Sequence, residues 1–162
     1  MKRYLVCSDI HGRIDLFKKA FLKDKAVDGV LIAGDLQLDT YEITDFVYAK
    51  GNDCCNVYMV CGNCDAYEPS ASLLPSVLFC EAGPHRILLT HGHRYYAPRT
   101  DLMSYKAEEN GCDIVIFGHI HRFVFEKIDD ILFLNPGALM SGSYAVLTVA
   151  NDGTVSFEHM SV

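Results

Sequence analysis

Short, wholly apolar runs punctuate the chain: Tyr4-Leu5-Val6-Cys7, Val30-Leu31-Ile32-Ala33, Val57-Tyr58-Met59-Val60, Ile87-Leu88-Leu89 and Ile114-Val115-Ile116-Phe117. Runs of this length predict strands, and Ile114-Val115-Ile116-Phe117, with three β-branched residues of four, predicts a buried strand of the parallel type. Between the first three the period lengthens. Ile14, Phe17, Ala20 and Phe21 fall at helical spacing, with Lys18, Lys19 and Lys23 left for the solvated face. Ile43, Phe46 and Val47 mark a second helix face, which Asp39 opens three residues before Glu42 and Gly51 stops. Strand, helix, strand, helix, strand predicts a right-handed βαβαβ unit with parallel strands.

Downstream the rhythm changes. Residues 68–84 carry Pro69, Pro75 and Pro84 with serines between them, and predict a surface excursion with a short strand near Val77-Leu78-Phe79. A third helix is expected over residues 100–110, with Asp101 near its start, Leu102 and Tyr105 on one face and Gly111 as its stop. Residues 123–128 and 131–134 flank Asp129-Asp130 as a hairpin, and Asn135-Pro136-Gly137 reads as a turn. A last hairpin joins residues 144–149 to 154–159 through Asn151-Asp152-Gly153. The second half is therefore expected to be richer in antiparallel strands.

Composition narrows the class. A chain of 162 residues suits one domain, here 1–162, with a sizeable core, and half its residues are hydrophobic. The formal charge of −7 argues against a nucleic-acid groove. A small phosphate ester stays open, because bound metal ions can supply positive charge. Seven cysteines are an odd number, and several sit in apolar runs where they act as small hydrophobes. Met1-Lys2-Arg3-Tyr4 opens no signal peptide and no apolar run is of membrane-spanning length, so the expectation is a cytoplasmic, reduced protein without a membrane partner. Cys61-Gly62-Asn63-Cys64 fits the bare C-x-x-C pattern, but it follows the third strand and has no second copy, which weighs against a redox pair or a zinc site.

The chemistry lies where the apolar runs stop. Five of them end in a small residue or two and then Asp, Asn or His: Asp9-Ile10-His11, Asp35, Asn63, His91-Gly92-His93 and His119-Ile120-His121. Of seven histidines, only His85 and His159 fall elsewhere. Side chains at i and i+2 of an extended segment point the same way, and the carboxyl ends of strands in α/β sheets are where ligands bind. A lone histidine on an apolar face is usually a satisfied core residue; five sorted to strand ends are not scattered. Carboxylates, an amide oxygen and imidazoles form a mixed oxygen/nitrogen set suited to Mn²⁺, Fe²⁺, Zn²⁺ or Ni²⁺ rather than to calcium or a Cys₄ zinc. The donors are too many for one ion and enough for two.

Ser8-Asp9-Ile10-His11-Gly12, Gly34-Asp35, Gly62-Asn63-Cys64-Asp65, Thr90-His91-Gly92-His93 and Gly118-His119-Ile120-His121 resemble, in order, the five motifs of the calcineurin-like metallophosphoesterases. The chain length and the Asn-Cys-Asp variant resemble the YfcE-type small prokaryotic phosphodiesterases. The resemblance runs through Asn135-Pro136-Gly137 and implies an α/β fold, a sandwich of two mixed β-sheets flanked by α-helices. It implies two divalent ions, Mn²⁺ foremost, with Asp9, His11 and His121 on the first, Asn63, His91 and His119 on the second, and Asp35 between them. It also implies a metal-activated hydroxide that attacks the phosphorus of a small phosphodiester in line, with Asn63 holding phosphoryl oxygens. Many members have histidine after the asparagine, where it can protonate the leaving oxygen; this chain has Cys64. His93 is then the candidate acid, or else a hydrogen-bond partner that holds the loop. Ala138 stands where relatives often have serine, in a turn read as structural. A phosphomonoesterase or nucleotidase on the same site, and a non-catalytic retromer-like scaffold, are the alternatives, and a homo-oligomer is compatible with all of them.

Overall fold

Apolar runs with no polar face need cover on both sides, and four stacked layers supply it. A computed structural model of the chain describes residues 1–51 and 55–162, which leaves Cys54 outside the described residues. Its elements are β1 (Lys2–Cys7), α1 (Ile14–Lys23), β2 (Gly29–Ile32), α2 (Thr40–Lys50), β3 (Asn56–Met59), β4 (Val77–Ala82), β5 (His85–Thr90), α3 (Asp101–Glu109), β6 (Ile114–Ile116), β7 (Phe123–Ile128), β8 (Ile131–Pro136), β9 (Ser143–Val149) and β10 (Val155–Ser161). One sheet runs β10-β9-β1-β2-β3 and the other β4-β5-β6-β8-β7. β1, β2 and β3 are parallel, as are β5, β6 and β8, while β4, β7, β9 and β10 pair antiparallel. Both sheets are mixed, as the resemblance implied.

Alternation along each strand sorts side chains between cores. Val6, Leu31 and Ala33 of the first sheet meet Ile87, Leu89, Ile114 and Ile116 of the second in the centre of the sandwich. Leu5, Cys7 and Ile32 point the other way, onto Phe17 and Phe21 of α1 and Ile43 and Val47 of α2. On the opposite flank Leu88, Val115 and Phe133 pack under Met103 and Ala107 of α3. Each such side chain contributes about 1.5–3 kcal/mol when fully buried.

The expected helices form, with one change of face. Asp39 caps α2 by accepting the Tyr41 amide at 3.0 Å. In α3 the core face is Met103 and Ala107, whereas Leu102 and Tyr105, the expected pair, are 38% and 71% exposed. A buried tyrosine needs a partner for its hydroxyl, and the apolar cluster below α3 is built of side chains without polar atoms such as Leu88, Val115 and Phe133, while methionine adapts to an irregular gap. The excursion over residues 68–84 ends in a longer strand than its pattern suggested, because all six residues of β4 find partners across β5. Asn135-Pro136 is not a free turn but the end of β8, where Pro136 sits opposite Phe123.

Candidate metal centre

Parallel strands carry their carboxyl ends to one edge, and here both sheets do so side by side. The loop after β1 continues pairing with the loop after β2 beyond the sheet: the Asp9, His11 and Gly12 amides donate to the Gly34, Asp35 and Leu36 carbonyls at 3.0, 3.0 and 2.8 Å. The loops after β5 and β6 of the second sheet pair in the same way, the Gly118 amide donating to His91 O at 3.1 Å, and the His119 amide joins the two sheets by donating to Asp9 Oδ2 at 3.1 Å. The approach is close enough to require glycine. A Cβ on Gly118 would lie 1.8 Å from Ser8 Oγ, and one on Gly62 would lie 2.1 Å from Asp35 Oδ1.

The convergence is strained. Asp9, His11, Asp35, His119 and His121 all have φ between 47° and 69°. They are five of the eight non-glycine residues with positive φ among the described residues. Each left-handed residue costs on the order of 1–2 kcal/mol, so the strain is concentrated where the candidate donors stand.

Side-chain atoms meet as the strand ends do. One donor atom each from Asp9, His11 and His121 lie within 4.8 Å of one another, as do those of Asp9, Asp35 and His91. His121 Nε2 is 3.0 Å and His11 Nε2 3.8 Å from Asp9 Oδ1, and His11 Nε2 is also 3.8 Å from Asp35 Oδ2. His91 Nε2 is 3.3 Å from Asp35 Oδ2 and 3.1 Å from Asn63 Oδ1. His119 stands ring to ring with His91, centroids 5.2 Å apart. His93 is brought less close to the carboxylates, its ring lying 5.4 Å from His91 and 6.2 Å from His119.

Hydrogen bonding shows what this space suits. Asp9 is fully buried, yet its Oδ1 has no hydrogen-bond partner, and neither does the buried His11 Nε2. The approach of His121 to Asp9 Oδ1 lacks donor geometry, so lone pairs face one another across a common space. His91 Nδ1 donates to Ala33 O at 2.7 Å, which leaves Nε2 surrounded by oxygens. Burial disfavours the His91 imidazolium, but Asp35 and Asp9 outweigh it and raise its pKa. Burial likewise works against the Asp35 carboxylate, and His91 together with the Cys64 amide, 2.8 Å away, holds its pKa far below the ordinary range. A proton on His91 thus supplies the positive charge that a cation would supply, and orphaned donors with fixed outer hydrogen bonds fit a metal ion.

Outer residues hold this set in place. Ser8 Oγ donates to Asp9 Oδ2 at 2.6 Å, and Gln37 Oε1 accepts from His11 Nδ1 at 2.5 Å. Asp65 is buried and accepts the Gln37 and Gly62 amides at 2.8 and 2.7 Å, which fixes the turn that carries Asn63. Asn135 Nδ2 donates to Gly118 O at 2.8 Å. No site role was read for these four from the sequence; Ser8 and Asp65 stood inside quoted motifs and Asn135 inside an expected turn, whereas Gln37 had no local signal. Burial pushes the Cys64 thiol up to about 11, with Asp35 adding to it, and burial raises Cys61 too. Neither thiol has the low pKa of a redox pair.

The family model for the calcineurin-like phosphoesterase superfamily domain matches residues 2–152. The chain belongs to that superfamily. The probable metallophosphoesterase YsnB of Bacillus subtilis is 35% identical over 162 residues, covering 94% of this chain and 88% of that protein. A phosphodiesterase of Methanocaldococcus jannaschii is 26% identical over 144 residues, covering 82% and 81%. The solved structure of an archaeal phosphodiesterase superposes with a TM-score of 0.74 at 21% identity, over 98% of this chain and 99% of that one. The crystal structure of Chaetomium thermophilum Vps29 superposes with a TM-score of 0.73 at 19% identity, over 99% of this chain and 95% of that one. Both likenesses are likenesses of fold. Among the described residues of this phosphoesterase no helix is long and apolar enough to cross a membrane.

Proposed function

We propose that this metallophosphoesterase is a two-metal phosphodiesterase acting on a small phosphate ester. The observation that carries the reading is the pair of orphaned lone pairs, on Asp9 Oδ1 and His11 Nε2, at the point where five strand ends converge. Asp9, His11 and His121 would hold one divalent ion, Asn63, His91 and His119 a second, and Asp35 would stand between them. Two such ions, when bound, supply positive charge toward an anionic ester and lower the pKa of a bound water toward about 7. As a metal donor His91 would have to be neutral at Nε2, and its Nδ1 bond to Ala33 O keeps that nitrogen aimed inward. The Asn63 amide lies where it can also contact phosphoryl oxygens as their charge grows.

The site is poor in proton donors. The Cys64 thiol, with its pKa pushed up to about 11, is a weak acid, so turnover favours leaving groups that depart as stable anions. Burial and the neighbouring His91 hold the His93 imidazole below its ordinary range, which weighs against an acid, and its buried Nδ1 has no hydrogen-bond partner. Support for a diester comes from the M. jannaschii relative, a phosphodiesterase by name. A scaffold role is favoured by the Vps29 likeness alone, while the filled donor set supports catalysis.

The test uses metal-stripped protein on bis(4-nitrophenyl) phosphate and 4-nitrophenyl phosphate, with Mn²⁺, Ni²⁺, Zn²⁺ and Mg²⁺ restored in turn. Hydrolysis of the diester should depend on added metal and disappear in Asp35→Ala. Activity that survives either change removes the mechanism, and faster monoester cleavage moves the reading to a phosphomonoesterase. Metal content of His119→Ala and His121→Ala should fall to about one ion each; a full complement in either would overturn the donor assignment.

A further inference from the structure

We propose that Cys64 adds a sulfur donor at the rim of the centre, and that His11, Asp35 and Cys64 together take a borderline-soft divalent cation such as Zn²⁺ in place of the first hydrolytic ion. The inference rests on the reading of His11 and Asp35 as metal donors and names a class of cation that would regulate that site.

One donor atom each from His11, Asp35 and Cys64 lie within 4.8 Å of one another. The same spacing groups Asp9 with His11 and His121, but here one donor is sulfur. His11 offers Nε2, the buried nitrogen without a partner, because its Nδ1 donates to Gln37 Oε1. Asp35 offers Oδ2, 3.8 Å from that nitrogen, because Oδ1 accepts the Cys64 amide at 2.8 Å. The backbone of Cys64 is thus anchored to the carboxylate with which its sulfur would share an ion. Sγ accepts a hydrogen bond from Asn63 Nδ2 at 3.3 Å, an outer contact of the kind that orients a metal donor. Cys61, the other cysteine of the C-x-x-C pattern, joins no such cluster among the described residues.

Donor type separates the two ways of filling the site. At nitrogen and oxygen donors Zn²⁺ already binds more tightly than Mn²⁺, and a thiolate widens that gap. Zinc bonds run to about 2.3 Å for sulfur and about 2.0–2.2 Å for nitrogen and oxygen, lengths on which three donors this close can converge. The ion takes the place of the thiol proton, which passes to solvent as the metal–sulfur bond forms. Cys64 is half-buried and lines a cavity of about 190 Å³ with Gln37, Tyr67 and Glu68, an opening by which a free ion reaches the sulfur. His11 Nε2 cannot serve two ions at once, so a cation held here displaces the first ion of the hydrolytic pair.

The test reads the sulfur bond directly. Metal-stripped full-length protein titrated with Co²⁺, a spectroscopic stand-in for Zn²⁺, should show the near-ultraviolet sulfur-to-cobalt charge-transfer band, and added Zn²⁺ should bleach it. The band should vanish in Cys64→Ser, require about tenfold more Co²⁺ in His11→Gln, and persist unchanged in Cys61→Ser. Cys64→Ser keeps the backbone amide that bonds Asp35, so a lost band reports the sulfur and not the loop. On Mn²⁺-loaded protein, the Zn²⁺ concentration that halves diester hydrolysis should rise about tenfold in Cys64→Ser. A band that survives Cys64→Ser, is unmoved in His11→Gln or is lost in Cys61→Ser would overturn the proposal, as would equal Zn²⁺ inhibition of wild type and Cys64→Ser. The expected band in a protein that hydrolyses no ester with any metal would support the soft-cation site and remove the phosphodiesterase reading. Metal-dependent hydrolysis with no band would keep that reading and overturn the proposal.

Discussion

Replacing Asp9 with asparagine should make the metal-free protein more stable and the metal-loaded protein less so. Asp9 is fully buried, with Oδ2 held by Ser8 and the His119 amide and Oδ1 without a hydrogen-bond partner. Asp35 contributes a second carboxylate within 4.8 Å, and His91, 4.0 Å from Asp9 and 3.3 Å from Asp35, offers one imidazolium to the two. One positive charge facing two negative ones leaves a buried excess. Asparagine keeps an oxygen for Ser8 and His119 and places an amide N–H₂ where Oδ1 was, 3.0 Å from His121 Nε2. Leaving a buried acceptor unsatisfied costs about 1–3 kcal/mol. Removing that cost, at about 2 kcal/mol, raises the melting temperature of the apo protein by roughly 4–8 °C for a domain of this size. Metal acts in the other direction, because saturation at a hundred times Kd stabilises the wild type by about 2.7 kcal/mol and the variant has lost the donor. Circular dichroism melts in chelator and in excess Mn²⁺ should therefore invert the order of the two proteins. An apo variant that melts below apo wild type, or an equal Mn²⁺ shift in both, would refute the reasoning.

The close approach of the sheets and the ties of His85 each set a further outcome. Gly118→Ala forces a methyl to 1.8 Å from Ser8 Oγ and 2.8 Å from the Ala33 carbonyl, so it should cost about 2–3 kcal/mol in urea unfolding and weaken metal binding; a loss under 0.5 kcal/mol would show that the two sheets close less tightly than described. His85 donates from both ring nitrogens to acceptors, Asp113 Oδ2 at 2.6 Å and Gly153 O at 2.7 Å, which ties β5 to the β9–β10 turn and requires the imidazolium. Burial lowers its pKa but the two acceptors raise it further, so its contribution is complete below the unfolded value near 6.5 and is lost as pH rises through the folded one. Asp113 is partly exposed, which limits the effect to about 1 kcal/mol. His85→Gln should thus flatten the decline in stability above about pH 6.5, and an unchanged pH profile would contradict the tie.

Local pattern was enough where one period of hydrophobicity decided the outcome. The runs at Leu5, Leu31, Leu88 and Val115 had no polar side to show water, so they could only be strands buried on both faces, and β1, β2, β5 and β6 are those strands. Pattern failed in α3, where Leu102, Met103, Tyr105 and Ala107 offered two apolar stripes and only the sheet beneath chose between them. It fell short again at Asn135: Oδ1 accepts the Gly137 amide as a turn residue's does, but Asn135 also ends β8 and its Nδ2 donates to Gly118 in the loop after β6, the neighbouring strand of the same sheet.

The candidate donors divide in the same way. Residue type and place at strand ends were written in the chain, since Asp, Asn and His can be counted after each apolar run and parallel strands must present those ends on one edge. The sequence by itself determined which atoms were available and that they would gather. Tertiary structure alone decided that Asp9 Oδ1 and His11 Nε2 would be left without partners, that Gln37 and Asp65 would hold the loops carrying His11 and Asn63, and that Tyr67 and Glu68 would open beside them. The physical reason is range: period and motif act over a few residues, whereas a hydrogen bond or a charge is satisfied by whatever the fold brings within about 3 Å.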